Sequence, residues 1–308
     1  MKSLLNTSLD PHFNMAFDSY VLERTEFEGF YLWQNKPSVI IGLNQSAYAE
    51  VNLPFIEEHG IELARRVSGG GAVYHDLGNL NYTFIGFEDG PSRVAEALRK
   101  MGAPAQLTGR NDIMVDGRKC SGYAKRLAGN RVFVHGTLMF DVNLEDLMNA
   151  LSVPGSKLSA AGIQSVRAKV ANLKEYLPYK TIGAFKEALS DLLSETPGQA
   201  GSDALEPWQL AEIEEVAARQ FRTWDWVYGH SPKTDFRKTV KYPCGTVTAN
   251  YSIKRGCISE VSFEGDFIGA KPASELAEKI KGLRVEDLSD VPVREYFDGV
   301  DDISELFR

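Results

Sequence analysis

Cysteine is scarce, with Cys120, Cys244 and Cys257 the only three in 308 residues. An odd number without C-x-x-C spacing supports neither a disulfide framework nor a zinc cluster. Histidine is nearly as rare, at five, and forms no H-E-x-x-H or comparable pair. No apolar run is long enough for a signal h-region or a membrane span, so the sequence predicts a cytoplasmic protein with no membrane partner. Positive charge is outnumbered, 34 Lys and Arg against 42 Asp and Glu, and the formal net charge of -8 argues against a nucleic-acid backbone as the main partner. Internal repeats and low-complexity tracts are missing as well. What remains is ordinary globular composition, 43% hydrophobic with 27 glycines, in a chain long enough for one large domain and one small one.

The elements follow from period and punctuation. Asp10-Pro11 starts a helix whose Phe13, Ala16, Phe17 and Tyr20 recur at helical spacing to about Thr25. Phe30–Trp33 and Val39–Gly42 read as two strands joined by a turn at Asn35-Lys36-Pro37-Ser38, and Ile61–Arg66 as a third. Leu80, Tyr82 and Phe84 alternate with Asn81, Thr83 and Ile85, which predicts a strand of mixed polarity. Helices are expected at Pro91–Met101, Leu144–Leu151, Phe185–Leu193 and around Trp208, Ala211 and Ala217, with a surface loop at Ser194–Ser202. After the aperiodic Tyr228–Lys233, alternation at Val247–Ile253 and Ile258–Phe263 and a helix at Pro272–Ile280 describe a small α+β appendage. The expected fold is α+β: a large mixed β-sheet domain with flanking helices over 1–230, then a small α+β domain over 231–308.

The chain breaks most conspicuously at Arg65-Arg66-Val67-Ser68-Gly69-Gly70-Gly71, before Ala72-Val73-Tyr74-His75-Asp76. Without Cβ atoms, three glycines allow positive φ and bring main-chain N–H groups close to a ligand, and the flanking arginines suggest an anion. A Walker A fails because no Gly-Lys-Ser/Thr follows, and a G-x-G-x-x-G fails because position 74 is Tyr. A plain flexible turn is the competing reading. Arg65 and Arg66 alternate, so at most one enters any given site. His75 reads as a hydrogen-bonded structural residue more readily than as a base or metal ligand.

A second cluster lies at Gly109-Arg110-Asn111-Asp112 through Gly117-Arg118-Lys119-Cys120-Ser121-Gly122, where Asp116-Gly117 is a hairpin signal. A two-residue turn pairs Val115 with Arg118, Met114 with Lys119, Ile113 with Cys120 and Asp112 with Ser121. Asp112, Lys119 and Ser121 then share one face as a polar site, with Ile113 and Cys120 on the other. A solvated ion pair is the alternative. His135-Gly136-Thr137 interrupts the next apolar strand, consistent with close backbone approach to a ligand.

Together, residues 65–76, Gly-Arg-Asn-Asp at 109–112, Gly-Arg-Lys-Cys-Ser-Gly at 117–122 and His-Gly-Thr-Leu at 135–138 resemble the lipoate-protein ligase A family in order and spacing. The resemblance runs on through Lys157-Leu158-Ser159, Ser165–Leu173, Trp224-Asp225-Trp226 and Gly265–Gly269. It implies a catalytic domain of the biotin/lipoyl-ligase type, class II synthetase-like, with a C-terminal accessory domain. The implied activity is Mg-ATP-dependent conversion of lipoate to lipoyl-AMP, then lipoyl transfer to a lysine on a 2-oxoacid dehydrogenase E2 subunit or the glycine-cleavage H protein. On this resemblance Lys119 is the catalytic charge, with Asp112 as second catalytic residue and magnesium ligand. The lipoyl group and its adenylate are expected against Trp33, Arg66, Ser68, Gly70, Gly71, Ala72, Val73 and His75. The nucleotide is expected against Gly71, Tyr74, Asn111, Asp112, Lys119, Ser121, Ala124, His135, Gly136 and Thr137. Three rivals are an ATP-independent octanoyl or lipoyl transferase using Cys120 as acyl carrier, a biotin ligase and a non-catalytic lipoate-binding protein. The hairpin turns Cys120 from Lys119, the arginine-rich glycine loop of biotin ligases is missing, and retention of Lys119 speaks for catalysis.

Overall fold

The computed structural model describes residues 1–108, 111–151, 169–194, 203–229, 234–265, 267 and 270–307. Gly109, Arg110, Lys157-Leu158-Ser159, the motif up to residue 168, most of the expected 194–202 loop and the 230/231 boundary lie outside them.

Helix α1 (Pro11–Arg24) starts where the sequence predicts. Asp10 accepts from His12 N at 2.8 Å and Phe13 N at 3.1 Å, satisfying orphan amides ahead of Pro11. Strands β1 (Gly29–Trp33) and β2 (Ser38–Ile41) follow, then the short helices α2 (Ala47–Glu50) and α3 (Leu53–Glu58), and β3 (Glu62–Arg65), β4 (Val73–His75) and β5 (Asn79–Ile85). After α4 (Gly90–Lys100) come β6 (Ala105–Thr108), β7 (Asp112–Val115), β8 (Arg118–Ala128) and β9 (Arg131–Met139), then α5 (Leu144–Ala150), α6 (Ile182–Leu193) and α7 (Pro207–Val216).

The expected mixed pairing resolves into two sheets. A six-stranded sheet in the order β1-β5-β9-β8-β7-β6 is antiparallel throughout, and among the described strands parallel pairing is confined to β2 with β3 in a separate sheet, β3-β2-β4. Strands β1 and β2 therefore do not form a hairpin. The glycine loop joins β3 to β4, a strand the sequence reading missed, and these two flank β2.

One face of the large sheet is core. Phe30, Leu32, Leu80, Tyr82, Phe84, Ile113 and Cys120 pack there against Val94 and Leu98 of α4 and Phe185 and Leu189 of α6, all buried. The opposite face carries Tyr31, Trp33 and Phe133, met by Met15, Phe17 and Val21 of α1 and by Ile40 and Ala64 of the small sheet. Polar side chains on this second face lie between two sheets and a helix.

Beyond residue 233, β10 (Thr234–Tyr242), β11 (Gly245–Lys254) and β12 (Cys257–Gly265) form an antiparallel sheet backed by α8 (Ala273–Ile280), with their own core around Val247, Ile258, Leu276 and Phe297. Trp224 meets this unit, with the Arg284 guanidinium 3.8 Å from its ring centre and Gly256 leaving room for the indole. Among the described residues no helix is long and apolar enough to cross a membrane.

Candidate active site

Strand register assembles the site. Trp33 pairs with Asn81, Asn81 with Thr137, the Thr137 hydroxyl accepts from Gly122 N at 3.3 Å, and Gly122 pairs with Asp112. Paired residues project to the same face, so these five form one row across five strands, aromatic at one end and acidic at the other. A second row, Tyr31–Thr83–His135–Ala124, runs beside it. The small sheet supplies the facing wall. Between them is a cavity of about 100 Å³ bordered by Ile40, Arg66, Gly70, Gly71, Ala72, Val73 and His75 on one side. Trp33, Asn81, Asn111, Lys119, Gly122, Ala124, His135, Gly136 and Thr137 border it on the other, with Met15 of α1 and Tyr123.

At the open end Lys119 Nζ lies 2.7 Å from Asp112 Oδ1, and both side chains are partly exposed. Lys119 is also held through its backbone, donating to Lys169 O at 2.8 Å and accepting from Ala171 N at 2.9 Å. The ammonium is therefore displayed from a strand fixed on both edges. Asn111 is tied in by Nδ2 to Tyr123 O at 3.0 Å.

The hairpin register departs from expectation. Val115 pairs with Arg118 and Met114 with Lys119, but a bulge then places Ile113 opposite Ser121 and Asp112 opposite Gly122. The extra residue is Cys120. Ser121 is consequently turned to the buried face, 1% exposed, and leaves the polar site predicted for it. Cys120 is fully buried, its thiol donates to Ile113 O at 3.3 Å, and burial pushes its pKa up to about 12. A thiol so placed is a packed hydrophobe.

The glycine loop is shaped by Arg66. Its guanidinium donates to Ile40 O at 3.0 Å, Gly69 O at 2.7 Å and Gly71 O at 2.8 Å, and Nε donates to Ser68 Oγ at 3.1 Å. Desolvation lowers its pKa to about 10, so it remains charged at neutral pH. Arg65 turns the other way, as alternation requires, donating to the carbonyls of Gly42, Leu43, Gln45 and Val227. Only Gly70 of the three glycines has positive φ, at 94°. Gly136 is glycine for a different reason from the one predicted: a Cβ there would lie 2.4 Å from Tyr82 Oη on the core face.

Two buried relays orient the histidines. Asn6 donates to Asn14 at 3.0 Å, Asn14 to Asn35 Oδ1 at 2.8 Å, and Asn35 Nδ2 to His75 Nδ1 at 3.0 Å. An amide NH₂ only donates, so His75 Nδ1 accepts and Nε2 carries the proton. Burial, with the nearby Arg66 and His135, lowers the His75 pKa to about 3 and keeps the ring neutral. His135 Nδ1 donates to Asp18 Oδ2 at 3.0 Å, and Ser68 Oγ lies 2.6 Å from His135 Nε2. Tyr31 and Thr83 donate to Asp18 Oδ1 at 2.5 and 3.2 Å. Ser68 does not border the cavity; its hydroxyl couples Arg66 to His135 behind the wall. Tyr74 also points away, buried with its hydroxyl 3.5 Å from Asp146 Oδ2.

Of the residues bordering the cavity, the expected site residues did not include Met15, Ile40, Asn81, Gly122 and Tyr123. Asn81 was the polar alternate of a strand, Met15 lay within the apolar part of α1 and Ile40 in an apolar run, so none of these three carried a site signal until the second sheet was placed over them. Asn35 read as turn punctuation and is fully buried behind His75.

Comparison with known proteins agrees with this geometry. Residues 10–194 match the lipoyl protein ligase A/B catalytic domain, and residues 231–306 the bacterial lipoate protein ligase C-terminus. The chain is 38% identical to lipoate-protein ligase LplJ of Bacillus subtilis over 94% of each chain. Among solved structures it is similar to a bipartite lipoate protein ligase described with its E2 lipoyl domain from Thermoplasma acidophilum, at TM-score 0.66 and 26% identity over 76% of this chain and 98% of that one. It is also similar to lipoate-protein ligase A bound with ATP, at TM-score 0.64 and 26% identity over 75% of this chain and all of that one. The chain belongs to the lipoate-protein ligase family.

Proposed function

We propose that the chain joins lipoate to AMP in the cavity between the two sheets and passes the lipoyl group to a lysine of an acceptor domain. The observation that carries this reading is the row from Trp33 to Asp112, a buried recess leading from an aromatic wall to a displayed ammonium. In the first step a carboxylate oxygen attacks the α-phosphorus of ATP and the bond to the β-phosphate breaks, releasing pyrophosphate. Two anions must approach, so charge fixed at the meeting point lowers the barrier. Lys119 provides it. Arg66 holds the glycine loop against the acyl chain, and Asn111, Ala124, His135, Gly136 and Thr137 border the nucleotide.

Asp112 has two roles on this reading. Magnesium commonly binds through one or two carboxylates together with substrate phosphates. Asp112 offers one partly exposed carboxylate beside the cavity, a donor that fits an ion also held by the phosphates of ATP. The ion would neutralise phosphate charge. In the second step the acceptor amine, whose unperturbed pKa is about 10.4, attacks the carbonyl carbon of the mixed anhydride. The ammonium first gives a proton to solvent, the amine oriented by Asp112 forms the amide bond as the carbonyl–phosphate bond breaks and AMP leaves, and the second proton on nitrogen passes to solvent. We assign catalysis to residues 1–230 and an accessory role to 231–308.

The acceptors proposed are the lipoyl domains of 2-oxoacid dehydrogenase E2 subunits and the glycine-cleavage H protein. Incubation of each with the protein, lipoate, ATP and Mg²⁺ should add one lipoyl group by intact mass, and only when ATP is present. Lipoylation without ATP, or none on any acceptor, would overturn the reading.

A further inference from the structure

Two residues bordering the cavity each leave one polar group without a partner among the described residues, His75 its Nε2 and Asn81 its Nδ2. Both residues are almost fully buried, at 3% and 1% exposure. Each is held from behind, His75 by Asn35 and Asn81 by Asn79 Nδ2, which donates to Asn81 Oδ1 at 2.9 Å. In both cases the group left without a partner is a nitrogen that carries hydrogen. Burying N–H groups without acceptors is costly, and such groups are tolerated where a ligand supplies the acceptor.

The row across the sheet fixes how deep this pair lies. Asn81 is separated from Gly122 by Thr137, two strand spacings or roughly 10 Å, and the Lys119 ammonium lies beside Gly122, 3.2 Å from where a Cβ would be. An acyl chain whose carboxyl group is held at Lys119 therefore presents its far end to Asn81, His75 and Trp33. Beyond its carboxyl group, lipoate carries no heteroatoms except the two sulfurs of the dithiolane at that far end. Divalent sulfur, as in this ring disulfide, is a weak hydrogen-bond acceptor. Octanoate offers only a methyl group.

We propose that Asn81 and His75 are specificity-determining residues that recognise the dithiolane sulfurs by N–H donation and disfavour a plain alkyl chain. The inference rests on the reading of the cavity as the lipoyl site and adds the basis of its selectivity. A site built to hydrogen-bond a substrate group penalises the analogue that lacks it, because the buried donors stay unpaired.

The test is acyl-adenylate formation with Mg-ATP, read as hydroxylamine-trapped hydroxamate, for lipoate, octanoate and 5-cyclopentylpentanoate. The last keeps the ring and loses both sulfurs. The wild-type chain should favour lipoate over the cyclopentyl acid by about tenfold in kcat/KM, and Asn81→Leu should bring that ratio toward one, with octanoate following the cyclopentyl acid. Equal kcat/KM for lipoate and the cyclopentyl acid in the wild type, which needs no variant to fold, overturns the proposal. So does an unchanged ratio in a folded Asn81→Leu protein. A wild-type chain that adenylates none of the three acids overturns the proposed function instead.

Discussion

The Lys119 ammonium reaches Asp112 across a position with no side chain, at 2.7 Å, because the bulge at Cys120 puts Gly122 where regular pairing would put Ser121. A Cβ on Gly122 would lie 3.2 Å from Nζ and 3.3 Å from Cε of Lys119. Both are the mobile end of a long chain, so Gly122→Ala should fold with a melting temperature within a few degrees of wild type. The displaced charge should lower the adenylation rate by about 10- to 100-fold, since misplacement of about 1 Å can cost that much. Pyrophosphate exchange and thermal melting together check it; a large loss of stability would show that the strand, rather than the charge, had moved.

Lys119 should act chiefly in the first step and Asp112 in both. Lys119→Met removes the fixed charge from the first half-reaction, and pyrophosphate exchange should fall by about 10²- to 10³-fold, the usual effect of deleting one transition-state donor. Asp112→Asn keeps the shape, and its losses should be larger in transfer from preformed lipoyl-AMP than in binding that intermediate. An Asp112→Asn protein that forms and transfers lipoyl-AMP at wild-type rates would remove Asp112 from the mechanism.

The three glycines are not equivalent. A Cβ at Gly69 or Gly71 would have nothing within 4 Å, whereas Gly70 has φ of 94° and its Cβ would lie 3.0 Å from Arg66 Nη2. Gly69→Ala should therefore leave kinetics near wild type, while Gly70→Ala should raise KM for lipoate several-fold and lower stability by about 1 kcal/mol or more, because an L side chain is strained at that φ. Steady-state kinetics on the pair decide it.

These positions show where sequence pattern carried the structure and where it did not. The hairpin turn, α1 with its Asp10 cap, and the pairing of Lys119 with Asp112 followed from local chemistry, namely an Asp-Gly turn, an N-cap and period-two alternation. The bulge did not, because a single inserted residue leaves no mark in composition, and it reversed the side of Ser121. Nor did β4, since three residues are too few to display a period. Alternation told that Arg65 and Arg66 face opposite sides, but not what they meet: Arg65 bonds to backbone carbonyls of segments distant in sequence, whereas Arg66 folds back mainly on its own glycine loop. Asn81 was invisible as a site residue because its neighbours across the sheet, Trp33 and Thr137, come from strands 48 and 56 positions away, a juxtaposition set by topology.

Cys120→Ser tests the thiol route. The thiol is fully buried, its pKa is raised to about 12, and it donates to Ile113 O. A serine hydroxyl can make the same hydrogen bond, so ATP-dependent lipoylation should stay within about twofold of wild type, with a modest fall in melting temperature from placing a polar group among apolar neighbours. Loss of transfer with adenylation intact would restore a cysteine carrier.

His75 should make the fold acid-sensitive. Its pKa is lowered from 6.5 to about 3, first by burial and then by Arg66 and His135. Between these values the unfolded chain binds a proton that the native chain does not, so the stabilisation is fully present above about pH 6.5 and is lost as pH falls toward 3, at up to about 1.4 kcal/mol per pH unit. Glutamine at this position does not titrate, and its side-chain oxygen can take the Asn35 hydrogen bond. His75→Gln should thus flatten the dependence of urea midpoint on pH between 7.5 and 5. Some slope should persist from His12, whose pKa burial also lowers. Equal slopes in the two proteins would mean that His75 gains its proton in the native state as readily as in the unfolded chain, and the neutral donor assigned to Nε2 would then be wrong.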